Sequence, residues 1–328
     1  MRSSSGPTAQ EISRLVLLLL LCLLHAQAGE LAVYLIGTGG PELTPDRQGP
    51  ATLIEVDGQY LLFDVGKGAL DGIYSARLPP REVTKIFLTH LHSDHIEGLP
   101  SLWITPWFLL GRKTPLEVWG PLGTSAMVDG MRAMYGHDLQ NRSNAVFKRE
   151  YLDIKVNQSS GGTVYSQGGI DVKAIPVEHH DGNPAFAYRV DTRQGSVLMT
   201  GDATLGASLL TAGKGVDVLI SNVAAGTAKI EDSGKIDAVL AKLMRPEQAA
   251  QLFKGTTPRV AVFSHIVKKG LPGAVGDAAI MARVRKAGYS GPLYMGIDGV
   301  KITVGPKIVI TQPAARATLP DLDGPEPW

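Results

Sequence analysis

Thr89-His90-Leu91-His92-Ser93-Asp94-His95 follows the apolar run Lys85 to Leu88 and precedes a Gly98-Leu99-Pro100 bend. Three histidines and an aspartate this close together point to a metal site, because imidazole nitrogen and carboxylate oxygen are good ligands for Zn²⁺. In extended backbone alternate side chains share a face, so His90 and His92 point the same way and suit one ion. A turn at Ser93 then swings Asp94 and His95 toward a neighbouring position. Two ions need further ligands, and three segments supply candidates: His179 after Ala174 to Val177, Asp202 after Val197 to Thr200, and His265 after Arg259 to Ser264. Each stands where a predicted strand meets a loop, the usual place for residues that do chemistry. His179 and His180 compete for one role, and the residues alone do not choose between them. Asp64, at the end of the Tyr60 to Phe63 strand, is expected to support the loops around the site, while His137 reads as a surface or helix-end residue.

Outward from this cluster, strands and helices mix along the whole chain. Leu31 to Ile36 reads as a strand, and Thr52 to Val56 with Gln59 to Phe63 as a hairpin around Asp57-Gly58. Leu116 to Trp119, Ala187 to Val190, Val197 to Met199, Val216 to Ile220 and Arg259 to Phe263 are further strands. Helices are predicted at Thr124 to Tyr135, Ile236 to Met244, Pro246 to Phe253 and Val275 to Lys286. Met127, Met131 and Met134 are spaced for one apolar face of the first of these. Such alternation suits sheets covered by helices. Trp103, Trp107 and Phe108, just past the histidine cluster, read either as an apolar wall for an aryl group or as core.

The 328 residues carry 44% hydrophobic and 19% charged side chains, in the ordinary range for a globular enzyme. Arg2 and Arg14 precede the apolar run Leu15 to Leu24, which ends in Ala26-Gln27-Ala28, the pattern of a secretory signal peptide cleaved after Ala28. The expected organisation is therefore a signal over 1–28, one hydrolase domain over 29–312 and a Pro-rich tail over 313–328. The run is too short for a permanent membrane anchor, and the expected location is the periplasm or the medium. Cys22 is the only cysteine, and Leu21 stands where a lipidated cysteine would follow a small residue. Without it the mature chain forms no disulfide and offers no thiolate, so a metal must be held by His, Asp or Glu. Lys plus Arg number 32 and Asp plus Glu 31, a formal net charge of +1 with no basic block. That weighs against a nucleic-acid partner, whose phosphates need clustered cations, and favours a small-molecule ester. A homodimer is compatible with all of this.

From Gly37 to Val304 the residues resemble the metallo-β-lactamase superfamily, and within it the ribonuclease Z and arylsulfatase-like branch. The resemblance rests on Gly37-Thr38-Gly39, Phe63-Asp64-Val65-Gly66, the His90 to His95 motif and Pro184-Ala185-Phe186-Ala187-Tyr188-Arg189-Val190. Thr200-Gly201-Asp202, Pro246-Glu247-Gln248-Ala249-Ala250, Phe263-Ser264-His265 and Gly291-Pro292 to Asp298 extend it. It implies an α+β fold, the αββα four-layer sandwich, with a dinuclear site at its edge. By the same resemblance His90, His92 and His179 hold one ion, Asp94, His95 and His265 the other, and Asp202 bridges them. His179 is preferred to His180 because it keeps the family's distance to Pro184-Ala185-Phe186. Two Zn²⁺ per chain are implied, with Mn²⁺ or Fe²⁺ as substitutes, activating water for attack while Asp94 acts as the catalytic proton acceptor.

The chain departs from that branch at two places. Ser221-Asn222 stands where the branch shows His-Glu, and Lys242 to Arg245 replaces a His-rich lead into Pro246-Glu247-Gln248. Only 22 residues lie between His179 and Asp202, too few for the tRNA-gripping arm of ribonuclease Z enzymes. These features rank arylsulfatase-like hydrolysis of an extracytoplasmic sulfate or phosphate ester first. A phosphodiesterase of the ribonuclease Z type, for tRNA 3′-processing or cyclic nucleotides, and a lactonase or β-lactamase are the enzyme alternatives. A non-catalytic metal-dependent binding protein is the alternative from another class.

Overall fold

A computed structural model describes residues 29–313; the expected signal over 1–28 and all but the first residue of the expected tail lie outside the described residues. Fifteen strands among them form two sheets. The first contains β1 (Leu31–Gly37), β2 (Ala51–Val56), β3 (Gln59–Phe63), β4 (Lys85–Phe87), β5 (Leu116–Gly120), β6 (Ile154–Gln158), β14 (Val300–Val304) and β15 (Val309–Thr311), in the order β15-β14-β1-β2-β3-β4-β5-β6. The second contains β7 (Gly162–Gln167), β8 (Ile170–Val177), β9 (Ala185–Thr192), β10 (Ser196–Met199), β11 (Val218–Gly226), β12 (Val260–Lys269) and β13 (Leu293–Met295), in the order β13-β12-β11-β10-β9-β8-β7.

The strand sequences explain the stacking. Strand β1 is apolar at every position but its last, and successive side chains point to opposite faces. Leu31, Val33 and Leu35 enter the core between the sheets, while Ala32, Tyr34 and Ile36 pack beneath outer helices. A sheet buried on both faces needs a helical layer outside it. Helices α1 (Ala69–Ser75) and α3 (Leu99–Leu109) cover the first sheet. Helices α6 (Ala207–Ala212), α9 (Pro246–Thr256) and α10 (Gly273–Lys286) cover the second. The result is the expected four-layer αββα sandwich. Between the sheets runs an aromatic ladder: Phe63 stacks on Phe87 at 4.9 Å and Phe87 on Trp119 at 4.7 Å.

Strands β3 to β6 run parallel, as do β10 to β13, and β8 is antiparallel to β9, which is antiparallel to β10. The carboxyl ends of β3, β4, β8 and β10 therefore gather at one edge of the sandwich, the edge at which ligands bind in open α/β sheets. The sheets are joined there by Phe186 N–H donating to the Thr89 carbonyl at 2.8 Å and Tyr188 O–H donating to the Leu88 carbonyl at 2.9 Å.

Several local expectations need correction. The predicted helix from Ile236 to Met244 contracts to α8 (Asp237–Leu240), because Leu243 and Met244 are drawn into the core beside β11. On α4 (Thr124–Met134), Met131 is buried but Met134 is exposed, so the three methionines do not share one packed face. Trp103 and Trp107 lie on α3, fully buried, with indole N–H groups donating to the Leu152 carbonyl at 2.8 Å and the Lys148 carbonyl at 3.2 Å. They belong to the core and form no wall for a substrate.

Candidate metal centre

Each side chain predicted for the site arrives at the same edge. Asp64 follows β3, Thr89 and His90 follow β4, and His92 is the residue before the short helix α2 (Ser93–Ile96) that carries Asp94 and His95. His179 follows β8 and Asp202 follows β10. His265 corrects the expectation that every candidate sits at a strand end: it lies inside β12. There the register with β11 shifts from Ser221↔Phe263 to Val223↔Ile266, so Ser264 and His265 oppose the single residue Asn222. This bulge puts His265 in the left-handed region, at φ 47°, and turns its ring out of the sheet toward the cluster.

Three groups of ligand atoms result, each with all its atoms within 4.8 Å of one another: His90, His92 and His179; Asp94, His95 and His265; and His90, His95 and Asp202. Asp202 lies between the first two. Its Oδ2 is 3.6 Å from His179 Nε2 and 3.1 Å from His265 Nε2, and its Oδ1 is 3.5 Å from His95 Nε2. Asp94 Oδ2 is 3.3 Å from His265 Nε2 and 3.5 Å from His95 Nε2. His179 is buried, whereas His180 is exposed and turned away at φ 54°, so only the first of the two joins the cluster. His137 stays on the surface beside Asn141.

A cluster of buried imidazoles and carboxylates is costly unless its polar atoms find partners. Here His90 Nε2, His95 Nε2 and Asp202 Oδ1 are buried without any hydrogen bond, and all three belong to one of the ligand groups. The outer nitrogens of three of the histidines, by contrast, are held, while that of His265 has no partner among the described residues. His90 Nδ1 lies 3.0 Å from Thr89 Oγ1, His95 Nδ1 2.8 Å from Asp64 Oδ2, and His179 Nδ1 2.9 Å from the Lys242 carbonyl. Anchored outer nitrogens with free inner ones are the pattern of histidines oriented for a cation. The residues therefore fit a pair of divalent ions.

Asp64 is the centre of that outer support, as the sequence suggested. At φ 58° its carboxylate accepts from Thr89 N–H at 2.8 Å and from Thr89 O–H at 2.8 Å as well as facing His95. Charge follows placement. Burial pushes His90 well below the ordinary imidazole range, which favours the neutral, ligating form. Burial would lower His95 too, but the carboxylates of Asp202 and Asp64 outweigh it and hold His95 well above that range. Burial opposes ionisation of Asp202, yet His265 and His95 keep its carboxyl far below the usual carboxylate range.

Sequence reasoning missed two contributors. Asn222, read only as a lost His-Glu, is a buried brace. Its Nδ2 donates to the carbonyls of Gly201 at 2.7 Å and Ala203 at 3.0 Å, and its Oδ1 accepts from Met244 N–H at 2.7 Å. It thereby ties the loop carrying Asp202 to the loop carrying Lys242. The departure from the branch pattern at this position was the visible signal. The Lys242 carbonyl on His179 had none, because any residue has a carbonyl.

The family model described as "Anti-Pycsar protein Apyc1" matches residues 31–247. A ribonuclease Z from Mycobacterium marinum is 33% identical over 194 residues, 58% of this chain and 70% of that protein. The metallo-β-lactamase fold protein YhfI from Bacillus subtilis superposes with a TM-score of 0.64 at 17% identity, over 84% of this chain and 99% of its own. The short form of human tRNase Z gives a TM-score of 0.61 at 20% identity, over 83% and 99%. The relatives and the clustered ligands together support a metal-dependent hydrolase.

Proposed function

Because this chain belongs to the anti-Pycsar protein Apyc1 family and to the ribonuclease Z-like branch of the metallo-β-lactamase superfamily, we propose that it hydrolyses small phosphate diesters with two divalent ions, zinc foremost. One observation carries the reading: two three-residue ligand groups flank one buried carboxylate, with unpartnered His90, His95 and Asp202 atoms among them. His90, His92 and His179 would hold one ion, Asp94, His95 and His265 the other, and Asp202 would stand between both.

When bound, such a pair supplies Lewis acidity toward an ester oxygen and makes water more acidic near neutral pH. The chain's own residues do the rest. Asp64, Thr89 and the Lys242 carbonyl fix the imidazoles so that little rearrangement accompanies the reaction. Asp94 is the most exposed carboxylate of the cluster, with its side chain 13% accessible, and is placed to accept a proton from attacking water. Ser221, buried where the branch shows a histidine, offers no acid for the leaving group, which favours diesters whose leaving group is already a weak base.

A phosphate diester is preferred here to the sulfate ester ranked first on sequence, since the Mycobacterium marinum relative is named for cutting RNA. Structured RNA is a poor candidate: between His179 and Asp202 there is only the turn His180–Gly182 and the strands β9 and β10, with no protruding arm. Arg2, Arg14 and the apolar run to Ala28 support export, so the proposed substrate is extracytoplasmic.

The test is metal analysis of the purified protein beside hydrolysis of bis-nitrophenyl phosphate, a cyclic nucleotide, nitrophenyl sulfate, nitrocefin and a tRNA precursor, before and after chelation. About two metals per chain and chelator-sensitive diester turnover are expected. Turnover of sulfate alone would restore the arylsulfatase reading, and turnover of nitrocefin alone would replace both. Two metals with no turnover on any substrate would make the protein a binding module.

A further inference from the structure

Lys242 makes two contacts beside the cluster. Its carbonyl accepts from His179 Nδ1 at 2.9 Å, and its ammonium donates to both carboxylate oxygens of Asp181, at 2.8 and 2.9 Å. Asp181 belongs to the turn His180–Gly182, which folds directly against the first ligand group. A Cβ on Gly182 would lie 2.7 Å from His179 Nε2 and 2.9 Å from His92 Cε1. The Lys242–Asp181 pair therefore stands at the rim of the site, on the His92–His179 side.

The two halves of the pair are unequal. The Lys242 side chain is 26% exposed, its stem largely covered, whereas Asp181 is 61% exposed. An ion pair so open to water holds its partners weakly and is readily exchanged for a competing anion. Two other cations, Arg47 and Lys268, are bound more firmly. Arg47 donates to Thr38, the Gly296 carbonyl and Asp277, and Lys268 to Asp277 and the Gly273 carbonyl. Lys242 is the one among these whose only side-chain acceptor is an exposed carboxylate at the rim.

We propose that Lys242 is a substrate-binding residue whose ammonium exchanges the Asp181 carboxylate for a non-bridging oxygen of an anionic phosphate ester. Asp181 holds the ammonium at the rim until substrate arrives. A compact charge on a flexible stem suits this exchange, since a small rotation carries it from one oxygen to another. The inference rests on the phosphodiester reading of the same site, but its binding arm does not require turnover.

The experiment compares the zinc-loaded native protein with Lys242→Met, Lys242→Arg and Asp181→Asn. It reads metal content, the Kd for inorganic phosphate, and kcat/KM for bis-nitrophenyl phosphate against neutral nitrophenyl acetate. Lys242→Met should keep both metals, because the contact to His179 is made by backbone, yet bind phosphate about tenfold more weakly and lose about tenfold in the anionic-to-neutral ratio. Lys242→Arg should restore most of the binding. Asp181→Asn should tighten phosphate and lower KM for the diester, since the ammonium loses its competitor. Unchanged phosphate affinity in Lys242→Met, weaker affinity in Asp181→Asn, or loss of metal from Lys242→Met would each overturn the proposal. Failure of the native protein to cleave diesters while the phosphate result holds would instead overturn the phosphodiester reading alone.

Discussion

At the scale of single residues, two glycines do as much for the site as the ligands. Gly201 adopts φ 56° beside Asp202, where a Cβ would press on the Phe186 carbonyl at 2.7 Å and the Thr89 side chain at 3.0 Å. Gly182 meets the rings of His179 and His92 with no room for a methyl group. Gly182→Ala is accordingly expected to displace both imidazoles, cutting bound zinc from two to one per chain while the folded core persists, which metal analysis and circular dichroism would show together. The clustered side chains themselves were legible because three histidines and an aspartate stand out when packed into His90 to His95. Asn222 was not, since a buried asparagine declares its partners only once the loops holding Gly201, Ala203 and Met244 are side by side.

At the scale of elements, α3 shows why apolar aromatic residues near a site are ambiguous in sequence. Trp107 has 2% exposure and its indole N–H is bonded to the Lys148 carbonyl. Trp107→Ala should cost about 3–5 kcal/mol of stability through the cavity it opens, seen in denaturant melts. KM for any substrate that the surviving folded protein turns over should stay as it was. A second element-scale contact joins α9, α10 and α7 (Ala228–Asp232): Arg283 bonds Glu247 and Glu231, each at 2.7 Å. Burial would raise both carboxyls, but Arg283 outweighs it and both lie below their ordinary value of 4.5. Depressed carboxyls stabilise the fold above their unfolded pKa, and that contribution fades as pH falls through the folded one. Arg283→Met should therefore lower stability by about 1 kcal/mol at pH 7, modest because the network is partly exposed. The gap from the native protein should narrow in chemical denaturation as pH falls below 4.5 and through the folded-state values of the two carboxyls.

For the whole molecule, the site couples the two sheets. Its candidate ligands come from both: Asp94 and His95 follow β4, while His179 follows β8, Asp202 follows β10 and His265 lies within β12. Ions held by residues of both sheets would cross-link the sandwich and favour the folded state by mass action, by about 4 kcal/mol at a thousandfold excess over Kd. Chelation should thus lower Tm, and zinc should restore it in a concentration-dependent way that Asp202→Ala abolishes. An unchanged Tm in chelator would mean that the loops are held by the Asp64, Thr89 and Asn222 bonds without help from metal.

Local chemistry determined much of this protein from sequence: the strand of the first cluster, the hairpin around Asp57-Gly58, the helices from Pro246 and near Val275, and the histidines and aspartates that come together at one edge. Hydrophobic period and ligand type are properties of short segments, and they survive in a chain read one stretch at a time. The tertiary structure alone decided that His265 leaves the middle of β12 through a bulge opposite Asn222, and it buries His179 in the cluster while leaving His180 exposed, the choice the family resemblance favoured. It also decided that Trp107 is core, and that Lys242 meets both His179 and Asp181 across some sixty positions of chain. Those outcomes depend on which strands become neighbours and on where space remains between them, quantities fixed by the packing of distant segments and carried by no single stretch.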